Sequence, residues 1–209
     1  MSLMPEVSLS MSEQGLLIVV SGPSGAGKST VISKVMSDDP SCVFSISATT
    51  RPPRGTEQNG VEYFFVDRER FESMIKSGEL LEYAEYVGNY YGTPKAPVFE
   101  SLNRGKNVIF DIEVQGAMQI KQKCPNAALI FIVPPSFSEI EKRLRGRHTD
   151  SESKILQRLE TARSEYAQAI NYDYIVINDD PQKAANEVKA IISAEKCRVE
   201  FRKKYVLEV

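Results

Sequence analysis

One short stretch restricts what this chain can fold into more than any other. An apolar run, Leu16 to Val20, reaches Ser21 and is followed at once by GPSGAGKS at residues 22–29. The octet fits G-x-x-x-x-G-K-[ST] at every position. A short β-branched run bounded by glycines reads as a buried parallel strand. After the octet, Val31, Ile32, Val35 and Met36 recur at helical spacing, and Asp38-Asp39-Pro40 stops the helix. Between such a strand and helix, glycines let backbone N–H groups turn inward as an anion nest, and the helix aims its N-terminus at the anion. The sequence therefore predicts a triphosphate-binding loop formed by Gly22, Pro23, Ser24, Gly25, Ala26, Gly27, Lys28, Ser29 and Thr30. Lys28 would reach the β- and γ-phosphates, and the Ser29 hydroxyl would ligate Mg²⁺.

Further strands are predicted at 43–47, 108–112, 129–133 and 174–178, with helical patterns between or after most of them. That alternation predicts an α/β fold: a parallel sheet flanked by helices, with right-handed crossovers. Residues 51–100 break it. They are rich in Tyr, Phe and Gly and read as a mixed β insertion with one short helix near 71–76, folded over the crevice at the strand C-termini. Ser136 with Glu139, and Thr149 with Glu152, look like capping boxes opening two helices. Ile155, Leu156, Leu159, Ala162 and Tyr166 make the stripe of the second, and RHTDSES between them has the composition of a lid. Pro181 opens a last helix, with Ala184, Val188, Ile191 and Ile192 inward. The expected organisation is one domain over 14–196, with core segments 14–50, 101–135 and 169–196, the insertion 51–100 and a lid 136–168. Residues 1–13 read as a disordered lead and 197–209 as a helix end or tail.

Composition narrows the class. At 209 residues the chain equals about 1.4 average domains. It is 42% apolar and 26% charged, which excludes wholesale disorder, and a net charge of −2 gives no global basic field for nucleic acid. One His and three widely spaced Cys argue against zinc and against a disulfide framework. The longest apolar runs are too short to span a bilayer. The expectation is a protein of a reducing, cytoplasmic compartment, with no nucleic-acid or membrane partner; a homo-oligomer is compatible with it.

The phosphate loop leaves ATPase, GTPase and kinase open, although no N-K-x-D motif supports a GTPase. VIFDI at 108–112 ends a strand with an acid, so Asp111 can hold Mg²⁺ or its waters. Arg51 and Arg54 lie on a Pro-stiffened loop, suited to bidentate binding of a second phosphate. Tyr63 and Tyr91 are phenols of the same insertion that can donate to phosphate oxygen. Guanine presents N1–H and an exocyclic amine side by side, and a carboxylate accepts from both. Glu82 and Glu85 are the rival carboxylates, with the hydroxyls of Ser47 or Thr93 to complete the shell. Adenine would leave that carboxylate unpaired, and a site built on such bonds rejects the analogue by about 10⁴-fold.

Four segments resemble the guanylate kinase family: GPSGAGKS, the run SISATTRPPRG at 45–55, GNYYGT at 88–93 and FDIEVQG at 110–116. RLRGR and IVIND are similar as well, so the likeness covers about 15–195. The resemblance implies a nucleoside monophosphate kinase that moves the ATP γ-phosphoryl onto GMP, giving ADP and GDP. It implies that Ser47, Glu82 and Thr93 read guanine and that Arg51, Arg54, Tyr63 and Tyr91 hold the GMP phosphate. Asp111 and Glu113 would lie on the GMP side, with Glu where the family often has Asp. Asn178 and Asp179 would line the adenine, and Arg143, Arg147 and Arg158 would act with Lys28 in catalysis. His148 departs from the family pattern beside Arg147. A binding module of this fold is the rival reading, opposed by the intact phosphate loop; a kinase for another base is opposed by Glu82 and GNYYGT.

Overall fold

The computed structural model describes residues 14–146 and 151–207. The expected lead at 1–13, Arg147, His148 and the Thr149 cap lie outside the described residues. The chain runs β1 (Leu17–Ser21), α1 (Lys28–Asp38), β2 (Cys42–Phe44), β3 (Ala48–Thr49), β4 (Phe64–Phe65), α2 (Arg68–Lys76), β5 (Leu80–Tyr86), β6 (Asn89–Pro94) and α3 (Lys95–Asn103). It continues through β7 (Asn107–Asp111), α4 (Val114–Lys123), β8 (Ala128–Val133), α5 (Phe137–Arg145), α6 (Glu152–Ala167), β9 (Tyr174–Ile177), α7 (Pro181–Glu195) and the short α8 (Val199–Arg202) and α9 (Lys204–Leu207).

Five strands form a parallel sheet in the order β2-β7-β1-β8-β9. All of β1 is buried. Its residues alternate between faces, as a strand must: Ile18 and Val20 pack with Val31, Val35, Val188 and Ile192 of α1 and α7. Leu17 and Val19 pack with Leu102, Phe110, Ala117 and Ile120 of the other face. Burial on both faces explains why this strand reads as a continuous apolar run. A third cluster joins α5 and α6 through Ile140, Leu144, Ile155, Leu159 and Ala162. Leu156, expected in that stripe, is instead 56% exposed.

The second sheet has the order β4-β3-β6-β5 and mixes parallel and antiparallel pairs. It takes its first strand from Ala48–Thr49, ahead of Arg51, so the predicted strand at 43–47 ends early. The chain leaves the first sheet after Phe44, and Ser47 already accepts a hydrogen bond from Phe64 of the second. Strands β7 and β9 also stop one residue short of expectation. The insertion carries α2, the expected short helix, and at its end the start of α3, where Pro94 and Pro97 follow GNYYGT. α2 starts at Arg68 because the Asp67 carboxylate caps the Arg70 N–H at 2.7 Å. α3 starts at Lys95 and tolerates Pro97 because its first turn needs no internal N–H donors.

Ser136 caps α5 by accepting from the Glu139 N–H at 3.3 Å, while the Glu139 carboxylate turns to Arg143. Asp180 caps α7 through the Gln182 and Lys183 N–H groups, with Pro181 following. Among the described residues no helix is long and apolar enough to cross a membrane.

Candidate active site

The phosphate loop lies between β1 and α1, and its shape depends on two glycines. Gly22 has φ +148°, and a Cβ there would stand 2.1 Å from the Ile132 carbonyl oxygen. Gly27 has φ +84°, and its Cβ would stand 2.4 Å from Asn178 Nδ2. Lys28 opens α1. Its ammonium donates to the Gly22 carbonyl at 2.6 Å, folding over the loop, and lies 4.0 Å from Asp111 at the end of β7. Burial raises the Asp111 pKa, and Lys28 opposes that shift. Ser29 and Thr30 are exposed in the first turn of α1.

Between the end of β7 and the second sheet is a cleft of about 400 Å³, lined by Ser47, Tyr63, Glu82, Tyr91, Asp111 and Glu113 among others. Seven of the nine residues expected on the GMP side are thus present or adjacent there: Thr93 donates to Glu82 Oε1 at 2.7 Å and lies 3.4 Å from the Ser47 hydroxyl. Glu82 is 5% exposed whereas Glu85 is an exposed side chain, so Glu82 is the buried one of the two rival carboxylates. Desolvation pushes its pKa up, partly offset by Thr93 and Lys123. A larger surface groove, about 880 Å³, is lined by Gln14, Arg104, Lys196 and the α8–α9 region and contains none of the motif residues.

Arg51 is buried beside Tyr63, with its guanidinium 5.3 Å from that ring centroid, and Tyr63 meets Tyr91 edge to face at 6.1 Å. Its fork is engaged by Glu57, whose oxygens lie 2.9 and 3.0 Å from the two terminal nitrogens. Glu57 also accepts from the Arg54 N–H at 2.8 Å, so the two expected phosphate-binding arginines share one organising carboxylate. The Arg54 side chain itself is exposed.

The α5–α6 pair reaches the loop from the other side. Arg143 donates to the Asn178 carbonyl at 3.1 Å and approaches Ala26 O at 3.5 Å. Arg158 donates to Ser24 Oγ at 2.5 Å. The Asn178 amide donates to Ala26 O at 2.7 Å, and its buried Oδ1 has no partner among the described residues. Asp179 stays apart: its carboxylate accepts from the Asp180 N–H and lies 3.6 Å from Lys183.

Sequence reasoning missed Glu57 and Glu165. Glu57 lies among exposed loop residues with no periodic signal. Glu165 follows Arg158 by seven residues, two turns along one helix face, and that spacing could have found it. Burial and the neighbouring Glu113 push its pKa up to about 7, against the pull of Lys28.

A parallel sheet, a glycine loop closing on a helix N-terminus and a second sheet over the strand ends define a nucleotide-binding α/β protein of the phosphate-loop class. The profile of the guanylate kinase family matches residues 14–195. A guanylate kinase of Streptococcus thermophilus is 54% identical over 191 residues, covering 91% of this chain and 91% of that protein. One of Streptococcus mutans is likewise 54% identical with the same coverage. The crystal structure of guanylate kinase from Anaplasma phagocytophilum superposes with a TM-score of 0.72 at 32% identity, covering 91% of each chain. The chain belongs to the guanylate kinase family.

Proposed function

We infer that this protein transfers the γ-phosphoryl group of ATP to the α-phosphate of GMP, giving ADP and GDP, as a cytoplasmic step of purine nucleotide metabolism acting on GMP or dGMP. The observation that carries the reading is the buried Glu82 carboxylate, held by Thr93 in the same cleft as Asp111, which ends the strand next to β1. A buried carboxylate with spare acceptor capacity is costly without a ligand that donates two parallel hydrogen bonds, and guanine is such a ligand.

In this account the N–H groups of residues 22–29 and Lys28 hold the ATP phosphates. Arg51, Arg54, Tyr63 and Tyr91 hold the GMP phosphate; Glu82, Thr93 and Ser47 read the base; Glu113 closes the GMP side. Asn178 offers its unpartnered Oδ1 to the adenine amino group, with Asp179 next to it. Arg143, Arg147 and Arg158 bring positive charge to the transferring group. Both reactants are anions, so positioning and charge neutralisation carry the rate. The acceptor phosphate is already ionised at neutral pH and needs no general base.

The donor set also suits Mg²⁺. Among the described residues no group of three His, Cys, Asp or Glu side chains could cage a metal, whereas Ser29 and Asp111 offer one hydroxyl and one carboxylate. Mg²⁺ keeps several waters and binds through one or two protein oxygens plus substrate phosphates. Ser29 and Asp111 would hold it, and when bound it neutralises charge on the β- and γ-phosphates.

Phosphorus NMR of the protein with ATP, Mg²⁺ and GMP tests the reading. The GDP and ADP β-phosphate signals should grow together at the expense of the ATP γ-phosphate. ATP loss with release of inorganic phosphate and no GDP would overturn it.

A further inference from the structure

β5 is an edge strand of the second sheet, and it is irregular where it matters. Leu80 pairs with Pro94 but Tyr83 pairs with Gly92, so the register slips by one residue and Leu81–Glu82 form a bulge. A bulge re-aims the side chain it carries. An edge bulge has unpaired backbone groups and nothing intrinsic to fix its geometry. Here a helix of the first sheet does so. α4 begins directly after Glu113 and presents Gly116, Gln119 and Lys123, spaced three and four apart and hence on one face, to β5.

Each of the three touches the bulge differently. The Gln119 amide accepts from the Tyr83 N–H at 3.2 Å and donates to the Tyr83 carbonyl at 2.9 Å, as a neighbouring strand would. Lys123 donates to the Leu81 carbonyl at 2.6 Å and lies 3.4 Å from that of Leu80. The two clamps bracket Glu82 on both sides. Gly116 bounds the carboxylate itself: a Cβ there would stand 2.7 Å from Glu82 Oε2 and 3.3 Å from its Cδ.

We propose that the Gly116–Gln119–Lys123 face of α4 sets the position of the Glu82 carboxylate and thereby the selection of guanine over purines lacking the 2-amino group. Gln119 and Lys123 are positioning residues that act through the β5 backbone, and Gly116 lines the cleft beside the carboxylate. The inference rests on Glu82 reading guanine. A misplacement of about 1 Å in such a site can cost up to about 10²-fold.

The test compares GMP with IMP, which keeps the ring N1–H and lacks the 2-amino group. Steady-state constants for both are measured in Gln119→Leu, Gly116→Ala and Glu82→Ala, with the KM for ATP as the check that the phosphate loop is intact. Gln119→Leu removes both hydrogen bonds at similar volume. It should raise the KM for GMP about tenfold, leave kcat at saturating GMP within about twofold, and lower the GMP-to-IMP preference about tenfold. Gly116→Ala should do the same more strongly; should it fail to fold, Gln119→Leu still decides. If Glu82→Ala abolishes the preference while Gln119→Leu keeps it, α4 does not position the carboxylate and the proposal is wrong. If Glu82→Ala itself leaves the preference unchanged, the guanine reading has failed and the proposal falls with it.

Discussion

Arg51 and Glu57 meet fork to fork, with both carboxylate oxygens within 3.0 Å of the two terminal guanidinium nitrogens. Arg51 is only 7% exposed and its fork also donates to the Pro52 carbonyl at 2.7 Å. The pairing holds Arg51 against the Tyr63 and Phe65 rings and keeps Glu57 below the usual carboxylate range. If Arg51 holds the GMP phosphate as proposed, Glu57 pre-organises that cation. Glu57→Ala should raise the KM for GMP about tenfold with little change in kcat, because an unheld guanidinium must be ordered on binding. A fall in the KM would mean that Glu57 competes with the phosphate.

Glu82 gives a pH-dependent prediction. Its pKa in the folded protein lies above the usual glutamate value of 4.5, chiefly through burial. The folded state therefore binds this proton more tightly than the unfolded chain. The resulting stability is fully present below pH 4.5 and is lost as pH rises through the raised value. Glu82→Gln removes that loss, so the ligand-free variant should melt above the parent at pH 7, with the gap closing below pH 4.5. Thermal melts across this range check it, and the same variant should lose most of its GMP turnover.

Gly27 makes a prediction about the loop. Ala at this position would need φ +84° and would push on the Asn178 amide. The left-handed backbone alone costs about 1–2 kcal/mol in a residue with a Cβ. Gly27→Ala should therefore lower the melting temperature and raise the KM for ATP more than that for GMP. Equal effects on both substrates would contradict the assignment of Asn178 to the ATP side.

Arg143 ties α5 to the loop and to Asn178. If its charge acts on the transferring phosphoryl group, Arg143→Ala should lower kcat by about 10²-fold, comparable to removing one donor from a developing anion. Equilibrium binding of GMP should be unchanged. Loss of GMP affinity with kcat retained would make Arg143 a structural tether only.

The phosphate loop and the central sheet were legible because their physics is local. A run buried on both faces is continuously apolar, and the loop needs glycines at fixed offsets. Residue chemistry alone leaves the candidate base-reading carboxylate as a pair, Glu82 or Glu85, and only the family resemblance selects Glu82, because alternation along a strand cannot foresee the bulge at Leu81–Glu82. Gln119 and Lys123 were missed because they act on backbone some forty residues away in the chain, and Glu57 because it pairs with Arg51 across an irregular loop; such pairings leave no period. The early end of β2 was misread because the apolar pattern continues through Ile46 while the chain changes sheets.

The most direct measurement is the initial rate of ADP formation from ATP and Mg²⁺ with GMP, AMP, CMP or UMP supplied in turn. Turnover is expected with GMP, and at most about 10⁻⁴ of that efficiency with AMP, which would leave the buried Glu82 carboxylate unpaired. Turnover led by another monophosphate would remove Glu82 from base recognition. No ADP formation with any of the four, in folded protein that binds GMP, would contradict the phosphotransferase itself and leave a GMP-binding module.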